Sequence, residues 1–276
     1  KLKRKKPTDA PKTAAASPAG NQFIYLPTVS SPAYSVAVNG SDVTGDGSVS
    51  NPWATIEHAV NNVPEGAIIL VQPGTYNGQI DLEPKFFGQP VTVRSAVPYQ
   101  ARLRHNDTVI TCYRCQGIII EGFDIAHTDN DPARYVIPIQ DAAGNGDAGT
   151  RVTLRDNIIH DSYNNDLVKV NNGANDVLIE NNMFYNQAGP DSHIDVNSAT
   201  NVVIQDNIFF NDFAGSGRSL LGTASFITIK DSNGTDDANL GSNDITVRRN
   251  LFLNWEDRDS NSFIVVGEDK VKYFQA

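Results

Sequence analysis

The stretch Val177–Asn186 reads VLIENNMFYN, and three others align with it without gaps: Val152–Asp161 (VTLRDNIIHD), Val202–Asn211 (VVIQDNIFFN) and Ile245–Asn254 (ITVRRNLFLN). The first three in chain order begin 25 residues apart, and the fourth follows a longer insertion. Self-similarity at a fixed period of this length is the signature of a stacked repeat architecture. Each segment opens with apolar residues at alternate positions (Val177 and Ile179, Val202 and Ile204, Ile245 and Val247), the pattern of a strand with one buried face.

An Asn then recurs at one place, as Asn157, Asn182, Asn207 and Asn250. Asn tolerates the left-handed backbone conformation and bonds its own main chain, so these four are expected to form a bend and a stacked ladder. Ile159, Phe184, Phe209 and Phe252 follow in register and are expected to stack. A further short strand closes each period: VIPIQ from Val136, LVKVN from Leu167, HIDVN from His193, FITIK from Phe226 and FIVVG from Phe263. Two or three strands per period, stacked on like neighbours, make an all-β parallel β-helix. Ile118–Thr128 supplies a weaker coil before the four clear ones.

Composition narrows the partners. Residues 1–12 carry six basic residues against Asp9, a surplus of +5 that leaves −15 for the rest of a chain of net charge −10. A body so acidic repels polyanions, so a nucleic-acid or an acidic-glycan partner would need a cation bridge or a local basic patch. No run of apolar residues is long enough to span a membrane. The Pro/Ala/Ser/Lys-rich residues 1–22 read as a disordered linker without the apolar core of a signal peptide, and 23–276 as the β-helix. No amphipathic helix follows the strand at FIVVG, so the domain is expected to be truncated at its C-terminal end. Cys112 and Cys115 form a single CxxC with no second pair or His cluster nearby. They read as buried thiols or a local disulfide rather than a zinc site.

Tyr34–Val60 (YSVAVNGSDVTGDGSVSNPWATIEHAV), followed by GAIILVQPGTYNGQI, resembles the first coil of secreted right-handed β-helix proteins of the pectate-lyase-like superfamily. The matching residues are Gly40-Ser41-Asp42, Pro52-Trp53, Thr55-Ile56, Ala59 and Pro73-Gly74-Thr75-Tyr76. The resemblance implies right-handed coiling, a short N-terminal capping helix around Trp53–Asn62, and an extracellular location. It also implies action on polysaccharide, most concretely as a calcium-dependent lyase on acidic glycans. A hydrolase, or a non-catalytic glycan-binding or surface-fibre β-helix, is the other outcome, because the superfamily's fold hosts several activities. His58 reads as a surface residue, and Asp42 and Asp46 read as turn residues of calcium-loop composition.

Alternation places the site. If Val168 and Val170, Ile194 and Val196, and Ile227 and Ile229 point inward, then Lys169, His193, Asp195 and Thr228 point outward, with Asn171, Asn197 and Lys230 in an adjoining column. Coils stack about 4.8 Å apart, so Lys169, Asp195 and Thr228 are expected in one column with Lys169 facing solvent. The resemblance implies that Lys169 abstracts the proton α to a uronate carboxylate, with His193 and Asp195 assisting. It further implies a Ca²⁺ that neutralises that carboxylate, and the loop HDSYNND before Lys169 supplies Asp161, Asn164, Asn165 and Asp166 as oxygen donors for such an ion. Arg134 and Arg218, on insertions that leave the 25-residue period, are candidates to clamp the substrate with Asn171, Asn197 and Lys230. The chain departs from the family where the W-x-D-H motif of pectate lyases and the NTD, DD and GHG blocks of polygalacturonases are missing; Asp236-Asp237 is an isolated acidic pair.

Overall fold

Alternating apolar residues along each short strand leave one face that only neighbouring coils can cover, and the chain satisfies it by winding. The computed structural model describes residues 31–83, 85–128, 134–140, 149–216, 223–230, 241–256 and 262–267. Within them the strands form three parallel sheets, one of eight strands and two of seven, and successive strands of the chain pass from sheet to sheet. One full coil comprises Asn175–Glu180, Met183–Gln187 and Ser192–Asn197, and the next comprises Thr200–Gln205, Ile208–Phe210 and Ser225–Lys230. Register keeps like over like: Val152, Val177, Val202 and Ile245 are paired in series, as are Leu154, Ile179, Ile204 and Val247. This is a right-handed parallel β-helix.

The interior is a set of apolar columns. Phe184, Phe209 and Phe252 stack at 5.0 and 5.2 Å between ring centres, with Ile159 paired to Phe184 on the preceding coil. Burying each such side chain contributes about 1.5–3 kcal/mol, and their identical placement lets every coil template the next.

The four asparagines form the expected ladder. The Asn182 side-chain oxygen accepts the backbone and side-chain N–H groups of Asn157 at 2.9 and 3.1 Å, while the Asn182 amide donates to the Leu154 carbonyl at 2.9 Å. Asn207 and Asn250 repeat the pattern one coil on. The bend itself is made one residue earlier than expected. The left-handed residues are Asp156, Asn181, Asp206 and Arg249, with φ between 55° and 58°. The ladder asparagines are thus selected for their amides, not for their backbone freedom.

At the first coil, Ile56–Asn62 is helical and adds Ile56, Ala59 and Val60 to the core. Thr55 caps it by accepting the His58 N–H, and the Asp42 carboxylate takes the N–H groups of Ala54 and Thr55 and the Thr55 hydroxyl. Asp42 is therefore a turn residue whose oxygens are committed. Gly47, at φ 77°, lies against the Trp53 ring, where any Cβ would come within 2.7 Å. Cys112 and Cys115 are joined in a disulfide across the corner between Ile110–Tyr113 and Cys115–Glu121.

Candidate active site

The register that builds the sheet containing Val168–Asn171 also builds the site. Lys169, Asp195 and Thr228 are paired in series, as are Asn171, Asn197 and Lys230. Lys169 Nζ donates to Asp195 Oδ2 at 2.6 Å, and Lys230 Nζ reaches the same oxygen at 3.0 Å. Asp166 joins them: its Oδ2 lies 3.7 Å from Lys169 Nζ, and its Oδ1 accepts the Ser192 backbone N–H at 2.8 Å. The half-buried Tyr135 ring lies over Lys169, 5.7 Å from Nζ to the ring centre. Beside Asp166 the hydroxyls of Ser192, Ser225 and Thr228 bond one another.

Three expectations change. Lys169 does not face open solvent; it is 6% exposed, with Asp195 at 2% and Asp166 at 1%. His193 is not part of the cluster. Its ring is fully buried, 4.7 Å from that of Phe226 and 6.0 Å from that of Phe209, with Nε2 hydrogen-bonded to Asn211 Oδ1. The reason is a break in alternation at the corner leading into this sheet. Leu167-Val168, His193-Ile194 and Phe226-Ile227 are consecutive core residues in all three coils, so the outward face resumes at Lys169, Asp195 and Thr228. Asp166, Ser192 and Ser225 take the outward place three residues before those. Two adjacent apolar residues at the start of LVKVN and FITIK were the sequence signal for this shift.

Asp161 and Asp166 also part company. Asp161 lies on Ile158–Ser162, where its carboxylate bonds His160 Nδ1 at 2.8 Å and the Asn186 amide at 3.2 Å, whereas Asp166 faces Lys169. A divalent cation needs several oxygen ligands converging on one point. Among the described residues the two carboxylates have different hydrogen-bond and ion-pair partners, and no group of three or more His, Cys, Asp or Glu is placed to hold a metal ion. Asp161 and Asp166 by themselves supply too few oxygens for a calcium site. Arg134 is exposed and Arg218 lies outside the described residues, as do Asp236-Asp237 and residues 1–22.

Charge states follow from burial and neighbours. Burial pushes the Asp166 carboxyl well above its ordinary value, and the nearby Asp195 charge adds to the push against a partial pull from Lys169. Burial by itself would release the Lys169 proton, but the carboxylates of Asp166 and Asp195 outweigh it and the pKa is raised. Lys169 is therefore held as an ammonium. Burial drives His193 down to about 3, so it is a neutral core residue. Asp195 Oδ1 and Asp166 Oδ2 are buried with no hydrogen-bond partner among the described residues. A network of buried charges with unpaired oxygens is an expensive arrangement for mere stability.

No protein-family model and no curated protein matches the chain. Solved structures do. A lacto-N-biosidase of family GH136 from Eubacterium ramulus is 10% identical with a TM-score of 0.51, over 80% of this chain and 56% of that one. XylC in complex with xylose is 13% identical at 0.51, over 86% and 63%. A rhamnogalacturonan lyase is 13% identical at 0.48, over 84% and 53%. The chain thus spans between about half and two thirds of the length of each. At these identities the likeness is one of fold, the parallel β-helix shared with carbohydrate-active enzymes.

Proposed function

We propose that the protein is a polysaccharide-active enzyme that cleaves acidic, uronate-containing glycans by β-elimination over the face bearing Lys169, Asp166 and Asp195. The observation that carries this reading is the buried Lys169 ammonium between two carboxyls, each with an oxygen that accepts no hydrogen bond among the described residues; perturbed groups gathered in this way mark candidate functional sites. The glycan-active names among the structures sharing the fold support a carbohydrate substrate. The disulfide supports an extracellular location, since such bonds persist in oxidising compartments.

The charge states revise the roles expected from sequence. Lys169, being protonated, is a proton donor and a cation for the charge that develops on the substrate; it is not a resting base. Asp195 is the acceptor. In this scheme an Asp195 oxygen takes the proton α to the uronate carboxylate, the C4–O bond breaks as the C4–C5 double bond forms, and Lys169 gives its proton to the departing oxygen. The 2.6 Å contact between Lys169 and Asp195 then returns the proton and resets both groups. Lys230, on the same Asp195 oxygen, adds positive charge for the enolate-like intermediate. No step is routed through calcium.

Incubation with a panel of uronate polymers, followed for the ultraviolet absorbance of an unsaturated product, tests the reading. New reducing ends without that absorbance mean hydrolysis. Binding without turnover would favour the non-catalytic reading, to which the near-complete burial of Lys169 and Asp195 lends weight.

A further inference from the structure

A cavity of about 250 Å³ lies at the first coil, between the start of the capping helix and the strands Gly74–Asn77 and Ile80–Asp81. Part of its lining is apolar: the buried Ile56 and Ile80, the half-buried Tyr76 ring, and Val38, which is 56% exposed. The Tyr76 hydroxyl is committed to the Gln72 carbonyl at 2.9 Å, and the Thr55 hydroxyl to Asp42 and the His58 N–H. Four other polar groups are left over. The Glu57 carboxylate, the Thr75 hydroxyl and the Asn77 amide form no side-chain hydrogen bond or ion pair among the described residues, and the Gln79 side chain donates to Thr111 but accepts nothing through its oxygen. A side chain at Gly78 would meet nothing within 4 Å, so the space continues past that turn.

Charge decides what fits. No Lys, Arg or His lines the cavity among the described residues, and Glu57 makes it negative. Arg102 and Arg104, paired with Thr75 and Asn77 on the next coil, are turned to Asp124 instead. An anion is therefore disfavoured. What the lining asks for is a small neutral ligand with hydroxyl donors for Glu57 and Gln79, oxygen acceptors for Thr75 and Asn77, and one apolar face for Val38 and Tyr76. A few convergent polar groups against an apolar wall are the usual make-up of a small-molecule site.

We propose that this cavity is a carbohydrate site for one neutral pyranose unit, separate from the face that bears Lys169; the choice of a sugar rests on the polysaccharide reading above. Ile80–Asp81 ends the sheet in which Ile110–Tyr113, Ile137–Gln140 and Val168–Asn171 follow in order. Three coil spacings, about 14 Å, thus separate the cavity's coil from that of Lys169. A neutral unit held here leaves the acidic part of the same glycan free to lie along the sheet toward Lys169.

Saturation-transfer NMR and calorimetry on the full chain test the site, with the methyl glycosides of glucose, galactose, mannose, xylose, rhamnose and galacturonic acid as probes. At least one neutral glycoside should bind, and the galacturonoside should not displace it. Glu57→Gln should weaken that binding about tenfold, the usual worth of a hydrogen bond to a charged group, and Asn77→Ala should weaken it in the same direction. Both side chains are exposed, so neither change should move Tm. Absence of binding by every neutral glycoside, binding indifferent to both substitutions, or displacement by the galacturonoside overturns the proposal. Turnover of uronate polymers is scored separately. A parent that turns them over but binds no neutral glycoside loses this site and keeps the catalytic reading; one that binds a neutral glycoside through Glu57 and Asn77 without turnover keeps the site and loses that reading.

Discussion

Lys169 Nζ lies 2.6 Å from Asp195 Oδ2 on the adjacent coil, and both side chains are almost wholly out of solvent. A single register, Val168 over Ile194 and Val170 over Val196, puts a cation on one strand directly against an anion on the next. Stability and chemistry are consequently coupled at this pair.

Removing the cation alone should therefore be damaging. Lys169→Ala leaves Asp195 and Asp166 facing each other in a buried site, and breaking a buried pair in this way costs about 3–5 kcal/mol. For a domain of this size that corresponds to a fall of roughly 10 °C in Tm. Lys169→Met combined with Asp195→Leu removes both charges and should recover part of the loss. Thermal unfolding of the three proteins decides it; an unchanged Tm for Lys169→Ala would show that the pair is not buried in solution.

His193 and His160 should titrate in opposite senses. His193, depressed to about 3 by burial, is neutral in the folded chain and binds a proton more readily when unfolded. Its contribution is fully present above the unfolded value near 6.5 and is lost as pH falls from there toward 3, about 5 kcal/mol in all. His193→Phe, which continues the column of Leu167 and Phe226, should flatten that acid limb of the stability curve relative to the parent. An unchanged difference in urea midpoint between pH 7 and pH 4 would refute the assignment.

His160 is the counterpart. Its two ring nitrogens bond Asp124 at 2.9 Å and Asp161 at 2.8 Å, and Tyr185 stacks on it at 4.6 Å. Burial lowers its pKa, but the two carboxylates outweigh this and raise it, with Arg104 paired to Asp124 on the far side. Its contribution is complete below the unfolded pKa and is lost as pH rises through the raised folded value. In an NMR titration, His160 should turn over above the ordinary histidine range, while His193 shows no transition between pH 5 and 8.

The asparagine ladder should be intolerant of truncation. Asn182→Ala strands the buried N–H of Asn157 and the carbonyl of Leu154, each costing about 1–3 kcal/mol. Asn181→Gly, at the left-handed position one residue earlier, should be neutral or slightly stabilising. Denaturant unfolding of the two variants separates the roles. The reverse order of effects would mean that the bend, not the amide, is what the repeat selects.

The coil architecture was legible because a period of 25 residues imposes the same environment many times over, so Val177, Val202 and their equivalents vote together. The column of Lys169, Asp195 and Thr228 was readable from the alternation of LVKVN, HIDVN and FITIK alone. What alternation could not show was its own failure at the corner, where Leu167 and Val168 are both buried. That one-residue shift moved His193 inside and Asp166 outside. Nor could it show how deeply the outer face is covered, because burial there depends on chain far away in sequence. Tyr135, which the same period-breaking insertion brings with Arg134, was accordingly not placed over Lys169.

The most direct test of the account is the initial rate of unsaturated-product formation from uronate polymers by the parent chain, Asp195→Asn and Lys169→Met, with folding of each checked by circular dichroism. The account predicts measurable elimination by the parent and a loss of about 10²- to 10⁴-fold in each folded variant, with no dependence on added or chelated calcium. Full turnover in a folded Asp195→Asn protein, or cleavage that yields reducing ends without the unsaturated product, would contradict it.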